Sequence, residues 1–257
     1  MTSRIGRLAY AHGHLGARMG ARPASADWAR LQAITDAHSF VEAARRTRIA
    51  PFMGGITPSQ PIHTIEALLR ERWREEVRQV SRWYEHADRS AVEWLSWLAE
   101  LPAIAYLTAA NPVTEWMETD STLAPFVAAA AGDKDALSNR SGLTAFARAF
   151  SGEEIAQICW LDHWRALWPK AKAERISLER LLAKIAELSG GRDLAAIALP
   201  TPDVLDQVFE KAFRANPKSL TAGVAYLGLV ADDLRRLRGQ IAVRLALPAL
   251  ERQEAAA

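Results

Sequence analysis

The chain has 257 residues, of which 49% are hydrophobic and 24% charged, and its formal net charge is +2. This balance is typical of a globular protein of one large or two small domains and excludes extended disorder, while the small net charge does not suggest a polyanionic partner. The single cysteine, Cys159, excludes an internal disulfide framework or a multi-cysteine zinc site and fits a reducing cytoplasm.

The N-terminal region is basic. Residues 1–35 hold five arginines against one acid, Asp27; the arginines are Arg4, Arg7, Arg18, Arg22 and Arg30. The apolar residues Tyr10, Leu15 and Trp28 continue the helical pattern through this region, which predicts a basic helix. This surplus of arginine leaves open a second class of function, a helical nucleic-acid-binding or regulatory protein that uses the N-terminal region.

The next element begins near residue 39. Ser39 is followed three residues later by Glu42, the pattern of a capping box in which the two side chains satisfy amides of the first helical turn. The stretch "APFMGGITPSQP" at 50–61 is dense in proline and glycine, so we predict a loop there.

An apolar stripe about five turns long follows the loop and predicts the longest helix of the chain. Its members recur at steps of three and four and are Ile65, Leu68, Leu69, Trp73, Val77, Val80 and Tyr84. A second face carries arginines at four-residue spacing, namely Arg70, Arg74, Arg78 and Arg82. Each has a glutamate three or four places away, which favours a self-paired solvated face over a docking surface for an acidic partner.

The central region contains two further helical segments, 88–110 and 152–168, separated by a looser stretch at 119–140. Trp160, Trp164 and Trp168 recur every four residues, and such a stripe predicts buried core rather than a surface that stacks ligands. Asp162 and His163 are adjacent on this helix, so their side chains point apart and cannot form a general-base pair with each other.

The chain lacks the usual catalytic signatures. It contains neither the His-Glu-x-x-His pattern of helical metal sites nor a Gly-x-x-x-x-Gly-Lys phosphate loop. His12 and His14 diverge by about 200° on a helix and cannot share a metal ion there. We therefore predict no catalytic, cofactor-binding or metal site and no enzymatic activity.

The C-terminal region combines an apolar face with clustered charges. Val230, Leu234, Leu237, Ile241 and Leu245 recur at helical spacing, which predicts one buried face. Around them, two acids precede three arginines; these charged residues are Asp232, Asp233, Arg235, Arg236 and Arg238. The acids lie three or four residues before Arg235 and Arg236, so local pairing is expected. The uncharged, glycine-containing stretch at 220–231 predicts helices that approach each other closely.

Nearly every periodic segment indicates a helix, so the predicted fold is all-α. "SFVEA" at 39–43 is echoed by "SLERL" at 177–181, and "IEALL" at 65–69 by "FEKAF" at 209–213. These echoes favour a single all-helical domain, 1–257, built of degenerate pseudo-repeats with approximate lobes at 1–110, 111–170 and 171–257. The apolar runs are shorter than the roughly 20 residues needed to cross a bilayer.

The two ends of the chain resemble the central-stalk socket subunit of V/A-type rotary ATPases, which is the C-type subunit of these enzymes and the d-type subunit of the vacuolar one. At the C-terminus, "NPKSLTAGVAYLGLVADDLRRLRGQIAVRLALP" (216–248) is similar to the family's final proline-initiated helix, acidic-x-x-Asn-Leu-Arg element and closing Leu-Pro. The matching positions are Pro217, Tyr226, Asp233, Leu237, Arg238, Leu247 and Pro248, whereas Arg236 replaces the asparagine. At the N-terminus, "AYAHGHLGARM" (9–19) and the stretch from "SFVEAARRTRIAPFMGGI" through "IEALLRERW" (39–73) resemble the family's opening helix and first lobe.

The resemblance implies further sites and a function. Degenerate copies of the acidic element would lie at Glu100 with Ala103, Asp162 with Arg165, and Asp233 with Arg236. Members of the family are funnel-shaped, all-helical proteins of three lobes. They form a socket between the membrane rotor ring and the central shaft. The implied function is non-catalytic torque transmission for ATP-coupled ion transport, in the cytoplasm and peripheral to the membrane through the ATPase complex. The charged residues named above would contact these partners or brace neighbouring lobes.

Overall fold

The computed structural model describes residues 4–133, 135–138, 142–188 and 202–254. Over these ranges the chain forms α-helices and short 3-10 segments without a β-strand, which confirms the all-α prediction. The helices are α1 (Arg4–Ala21), α2 (Ser25–Gln32), α3 (Ala37–Ala44), α4 (Ile62–Ser81), α5 (His86–Glu93), α6 (Leu101–Thr108), α7 (Glu115–Thr119), α8 (Ala124–Ala130), α9 (Ala147–Phe150), α10 (Ala156–Ala166), α11 (Lys172–Leu188), α12 (Pro202–Ala215) and α13 (Leu220–Glu254). The 3-10 segments are Ala50–Phe52, Trp94–Ala99 and Leu143–Phe146.

The chain divides into two compact units. The first combines residues 1–80 with 201–257, and the second comprises residues 81–200. The expected lobe boundaries near 110 and 170 both fall inside the second unit. The three-lobe division, the pseudo-repeats and the funnel arrangement stay predictions. Within the described ranges, no helix is both long enough and apolar enough to span a membrane.

The predicted capping box at Ser39 is wrong by three residues. The cap of α3 is Asp36, whose carboxylate accepts a hydrogen bond of 2.8 Å from the amide of Ser39. Aspartate caps a helix as well as serine does, because its oxygen satisfies an otherwise unpaired amide of the first turn. The helix therefore begins at Ala37, and Ser39 lies inside its first turn.

The α4 stripe is buried as predicted, but α4 is not the longest helix. Five of the stripe residues are at most 5% exposed; they are Ile65, Leu69, Trp73, Val77 and Val80. α4 has 20 residues, whereas α13 has 35 and continues through Pro248, where the resemblance predicts a helix end. The side chains of Leu247 and Pro248 lie outside the described ones.

The predicted close approach at 220–231 is found between α12 and α13. A methyl group on Gly228 of α13 would lie 2.4 Å from Cε1 of Phe209 on α12, well inside van der Waals contact. Glycine is therefore required here, because any side chain would push the two helices apart. By contrast, a methyl group on Gly239 of the same helix would meet nothing within 4 Å.

We expect opposite effects from alanine at these two glycines. Gly228→Ala should lower the free energy of unfolding by about 1 to 3 kcal/mol, because the added methyl overpacks the contact with Phe209. Gly239→Ala should raise it by up to about 1 kcal/mol, because alanine favours the helix and meets no neighbour. Urea denaturation of both variants measures the difference, and equal effects at the two positions would contradict the close approach.

The predicted tryptophan core is found in the second unit. Trp160, Trp164 and Trp168 are each at most 6% exposed, and their neighbouring ring centroids lie 5.4 and 5.1 Å apart. The indole Nε1 of Trp164 donates to the carbonyl oxygen of Ala91 at 2.8 Å, and that of Trp94 to the carbonyl oxygen of Trp160 at 3.1 Å. These two bonds join α10 to α5 and to the 3-10 segment that follows α5.

Trp164→Ala should lower the free energy of unfolding by roughly 3 to 5 kcal/mol, because it leaves a cavity and an unpaired carbonyl at Ala91. Trp116→Ala, on the short helix α7, is a comparison substitution at a more exposed tryptophan and should cost less. Chemical denaturation followed by circular dichroism measures both. A loss of under about 1 kcal/mol for Trp164→Ala would contradict a core role.

Candidate functional site

The most extensive polar contact of the first unit begins at Arg22, one residue beyond α1. Its guanidinium binds both carboxylate oxygens of Asp233 on α13, at 2.8 and 3.1 Å. It also donates to Asp206 of α12 at 3.2 Å and to the carbonyl oxygen of Leu229 at 3.3 Å. The Asp233 side chain is 1% exposed and that of Arg22 is 11% exposed. One guanidinium therefore connects the N-terminal helix to both C-terminal helices.

Arg236 extends this contact along α13. Its guanidinium donates to Asp206 at 2.8 Å and to Asp232 at 3.0 Å, and Arg235 also binds Asp232. These groups form one connected ion network, which we define as Arg22, Asp206, Asp232, Asp233, Arg235 and Arg236. Asp203, whose side chain is 84% exposed, lies at its edge, 3.3 Å from Arg236.

The local pairing predicted within α13 is confirmed for one acid and wrong for the other. Asp232 pairs with Arg235 and Arg236, at spacings of three and four residues. Asp233 instead directs its hydrogen bonds to Arg22, 211 residues away in the sequence. Asp233 lies on the side of α13 that faces α1, so a carboxylate from this position cannot remain at the surface with Arg236.

Burial dominates the electrostatics of the network. It raises the pKa of Asp233 to about 6, although Arg22 stabilises the ionised carboxylate. Burial also raises the pKa of Asp206, against the opposing effect of Arg22 and Arg236. Removing a carboxylate from water therefore costs more than its arginine neighbours restore, which is a common outcome for buried ion pairs.

A second buried contact joins α1, α4 and α13. The carboxylate of Glu76 on α4 accepts hydrogen bonds from Arg18 of α1 and, at 2.7 Å, from the hydroxyl of Tyr226 on α13. Burial next to this carboxylate raises the pKa of Tyr226. Sequence analysis missed Glu76, although its position between Trp73 and Val80 places it beside the apolar stripe of α4.

A third contact holds α2 against α13 through Arg244, which is 5% exposed. Its guanidinium donates to the carbonyl oxygens of Ile34 at 2.8 Å, Leu31 at 3.1 Å and Gln32 at 3.3 Å. These carbonyls lie at the C-terminal end of α2, where a helix lacks internal partners and favours a cation. Sequence analysis also missed Arg244, whose spacing of three residues from Ile241 places it on the buried face.

The arginine face of α4 is self-paired in part. Arg74 and Arg78 both bind the carboxylate of Glu71, at 2.8 and 2.6 Å. Glu66 pairs instead with Arg238 of α13, at 2.6 Å. Arg70 is half-buried on α4, and Arg82 is exposed just beyond its end. The side chains of Arg78 and Arg238 remain 54% and 62% exposed.

The other two proposed copies of the acidic element differ from the Asp233 copy and from each other. Glu100, between a 3-10 segment and α6, is completely buried. Asp162 is half exposed and pairs with Arg148 at 3.0 Å rather than with Arg165. Arg165 instead binds Glu179 of α11 at 3.2 Å.

The histidine beside Asp162 lies in an aromatic environment. The ring of His163 lies 4.3 Å from that of Trp94, and burial lowers the pKa of the imidazole. Asp162 and His163 point apart, as their adjacent positions predict. Across the described ranges, no group of three or more His, Cys, Asp or Glu side chains is placed to hold a metal ion.

The N-terminal arginines are largely compensated by acids. Arg18 binds Glu76, Arg22 binds Asp233, and Arg30 binds Asp27. A nucleic-acid-binding surface needs guanidinium groups that are available to neutralise phosphates. These pairings therefore do not favour the interpretation in which this region binds nucleic acid.

No family model, curated protein or solved structure matches the chain. The described ranges define an all-helical protein whose first unit is held together by buried contacts between charged side chains and distant helices. The arrangement of these side chains suits the bracing of helices, because their hydrogen bonds are directed to one another and to main-chain carbonyls.

Replacing Asp233 should change how stability depends on pH. The stabilising contribution of protonated Asp233 is fully present below its ordinary pKa of about 4 and is lost as the pH rises through about 6. The free energy of unfolding of the wild type, relative to Asp233→Asn, should therefore fall by roughly 1 to 3 kcal/mol between about pH 4 and pH 7. Urea denaturation at several pH values measures this difference.

The control for this prediction is Asp203→Asn, because Asp203 lies at the exposed edge of the same network. Its stability relative to the wild type should change much less over the same pH range, since a largely hydrated carboxylate keeps a nearly ordinary affinity for protons. A constant difference between the wild type and Asp233→Asn, or one that grows with pH, would contradict the burial of an ionisable carboxyl.

Proposed function

We propose that this chain is a non-catalytic central-stalk subunit of a V/A-type rotary ATPase. In this role it connects the membrane rotor ring to the central shaft and transmits torque for ATP-coupled ion transport. Its partners are rotor-ring and shaft subunits, and it lies in the cytoplasm, peripheral to the membrane through the complex. The proposal rests on the resemblance at the two ends of the chain.

The observation that carries the proposal is the contact between Arg22 and Asp233. The N-terminal and C-terminal stretches that resemble the family belong to the same compact unit. Asp233, the acid of the final element, binds the guanidinium that follows α1 at 2.8 Å. The two stretches therefore form one structural element, as expected if both derive from a common family pattern.

The buried contacts also support a mechanical role. A protein that transmits torque must resist separation of its helices under lateral load. In the first unit, Arg22, Glu76 and Arg244 each connect helices that are remote in the sequence. Breaking such a buried contact leaves an uncompensated charge, which typically costs about 3 to 5 kcal/mol, so these helices are held more firmly than by exposed ion pairs.

The exposed charges supply candidate contacts to the partners. Arg238 and Arg78 are more than half exposed although each has an acidic neighbour on the first unit. An acidic side chain of a partner could bind either guanidinium without disrupting the buried contacts. Asp233 is unsuited to this role because its side chain is 1% exposed.

The first test is purification of the tagged chain from gently solubilised membranes. A rotor-ring proteolipid and ATPase head subunits should co-elute with it. In vesicles that lack the chain, ATP hydrolysis by the head should persist while ATP-driven ion uptake disappears, because no residue of this chain is assigned to nucleotide. Ion uptake at the normal ratio to hydrolysis in such vesicles would overturn the proposal.

A finer test compares two exposed arginines of the first unit. Arg238→Glu should reduce the amount of co-eluting partner several-fold, because it reverses a candidate contact while the buried network remains. Arg214→Glu is the matched control, since Arg214 is 74% exposed and also pairs with a glutamate, Glu210. Thermal denaturation of both variants should show intact folding. Equal recovery of partners with the two variants would remove Arg238 from the interface.

A further inference from the structure

The outward face of α1 is uncharged along most of its length. The members of this face are large in the first half of the helix and small in the second; they are Ile5, Gly6, Ala9, Tyr10, Gly13, Gly16, Ala17, Gly20 and Ala21. Ile5 is 74% exposed and Tyr10 is 53% exposed. Arg7 and His14 lie along one edge of this face, which we call the α1 face.

Three glycines of the α1 face have no packing role within the chain. A methyl group on Gly13, Gly16 or Gly20 would meet nothing within 4 Å. Glycine is nevertheless less favourable than alanine inside a helix, because it loses more backbone freedom on folding. Their effect is to leave a shallow groove in which another side chain or helix backbone can approach α1 closely.

We propose that the α1 face binds the same face of a second copy of this chain, with the two helices antiparallel and crossing near Gly13. In this arrangement Ile5 of one copy lies opposite Ala21 of the other, and Tyr10 lies opposite Gly16. Each bulky side chain therefore meets a small one. A two-fold axis repeats both contacts, as in the interfaces of most protein dimers.

The charges on α1 favour the antiparallel orientation. Helix α1 contains no acidic residue, so Arg7 has no carboxylate to pair with on the facing helix. An antiparallel crossing at Gly13 separates the two Arg7 positions by about 18 Å along the axis, at a rise of about 1.5 Å per residue. This exceeds the screening length of about 8 Å at physiological salt, whereas a parallel pair would place the two arginines side by side.

The size of the α1 face predicts a weak dimer. An 18-residue helix presents a footprint of about 27 by 10 Å. Stable interfaces bury about 800 Å² on each partner, which is considerably more. We expect a dissociation constant on the order of 10⁻⁴ M. The dimer is a property of the isolated chain and does not rest on the proposed function.

A lipid surface fits the α1 face less well than a second helix. Helices that lie in a membrane interface bury large side chains such as Trp, Phe and Leu. The α1 face has two large apolar side chains, and its glycines contribute almost no apolar area. The close approach that glycine permits has a consequence only against a solid surface such as another helix.

Sedimentation velocity of the full chain from about 5 to 500 µM tests the proposal. The weight-average mass should rise towards that of a dimer across this range. Gly16→Leu should abolish the rise, because leucine would collide with Tyr10 of the second copy while meeting nothing in its own chain. Gly239→Leu is the matched control: Gly239 is also an exposed helical glycine with nothing within 4 Å, and this variant should dimerise normally.

Cross-linking tests the orientation. Gly13→Cys should form a disulfide-linked dimer under mild oxidation, because the two positions meet at the crossing and a disulfide requires Cα atoms about 4.4 to 6.8 Å apart. The native Cys159 is buried and should not compete. Gly239→Cys should remain largely monomeric under the same conditions.

Three outcomes would overturn the proposal. A chain that stays monomeric at about 500 µM excludes the dimer, and dimerisation that is unchanged by Gly16→Leu excludes the α1 face. The third outcome concerns vesicles of equal parts phosphatidylglycerol and phosphatidylcholine. A monomeric chain that sediments with these vesicles, and no longer does so after Tyr10→Ala, would assign the face to a lipid surface.

Discussion

The burial of Asp233 is the constraint on which the arrangement of the first unit depends. A carboxylate removed from water is stable in a fold only if charged or polar groups surround it. Arg22 provides these groups through two hydrogen bonds to the carboxylate and a third to Asp206. The requirement is met only when the end of α1 reaches both α12 and α13. Satisfying one buried carboxylate therefore fixes the positions of three helices.

The remaining interhelical contacts of this unit follow the same principle. Glu76 is satisfied by Arg18 and Tyr226, and Arg244 by the carbonyl oxygens at the end of α2. In each case the partner group lies far away in the sequence, so local helix formation alone leaves the charge unsatisfied. Buried charges in this protein thus determine which helices can be neighbours, while apolar burial supplies most of the driving force for packing.

The acidic positions suggested by the family resemblance have different environments. Asp233 is held in an ion network and Glu100 is fully buried, whereas Asp162 is half exposed and binds Arg148. An acid that supports the fold and an acid that contacts a partner have different consequences when substituted. Under the proposed function, the exposed guanidinium groups of Arg78 and Arg238 are therefore better tests of assembly than Asp233, whose replacement also alters the fold.

The sequence by itself determined the helical class, the buried stripe of α4, the tryptophan core and the close contact at 220–231. These properties follow from the spacing of apolar and small residues along a single helix, which periodicity reports directly. The start of α3 was misplaced because two capping residues, Asp36 and Ser39, were both chemically suitable. Only the tertiary structure decided that Asp233 binds Arg22, that Glu76 binds Tyr226 and that Arg244 caps α2. The spacing of charges predicts partners one helical turn away, whereas a buried charge is satisfied by whichever group the packing of distant helices brings within hydrogen-bonding distance.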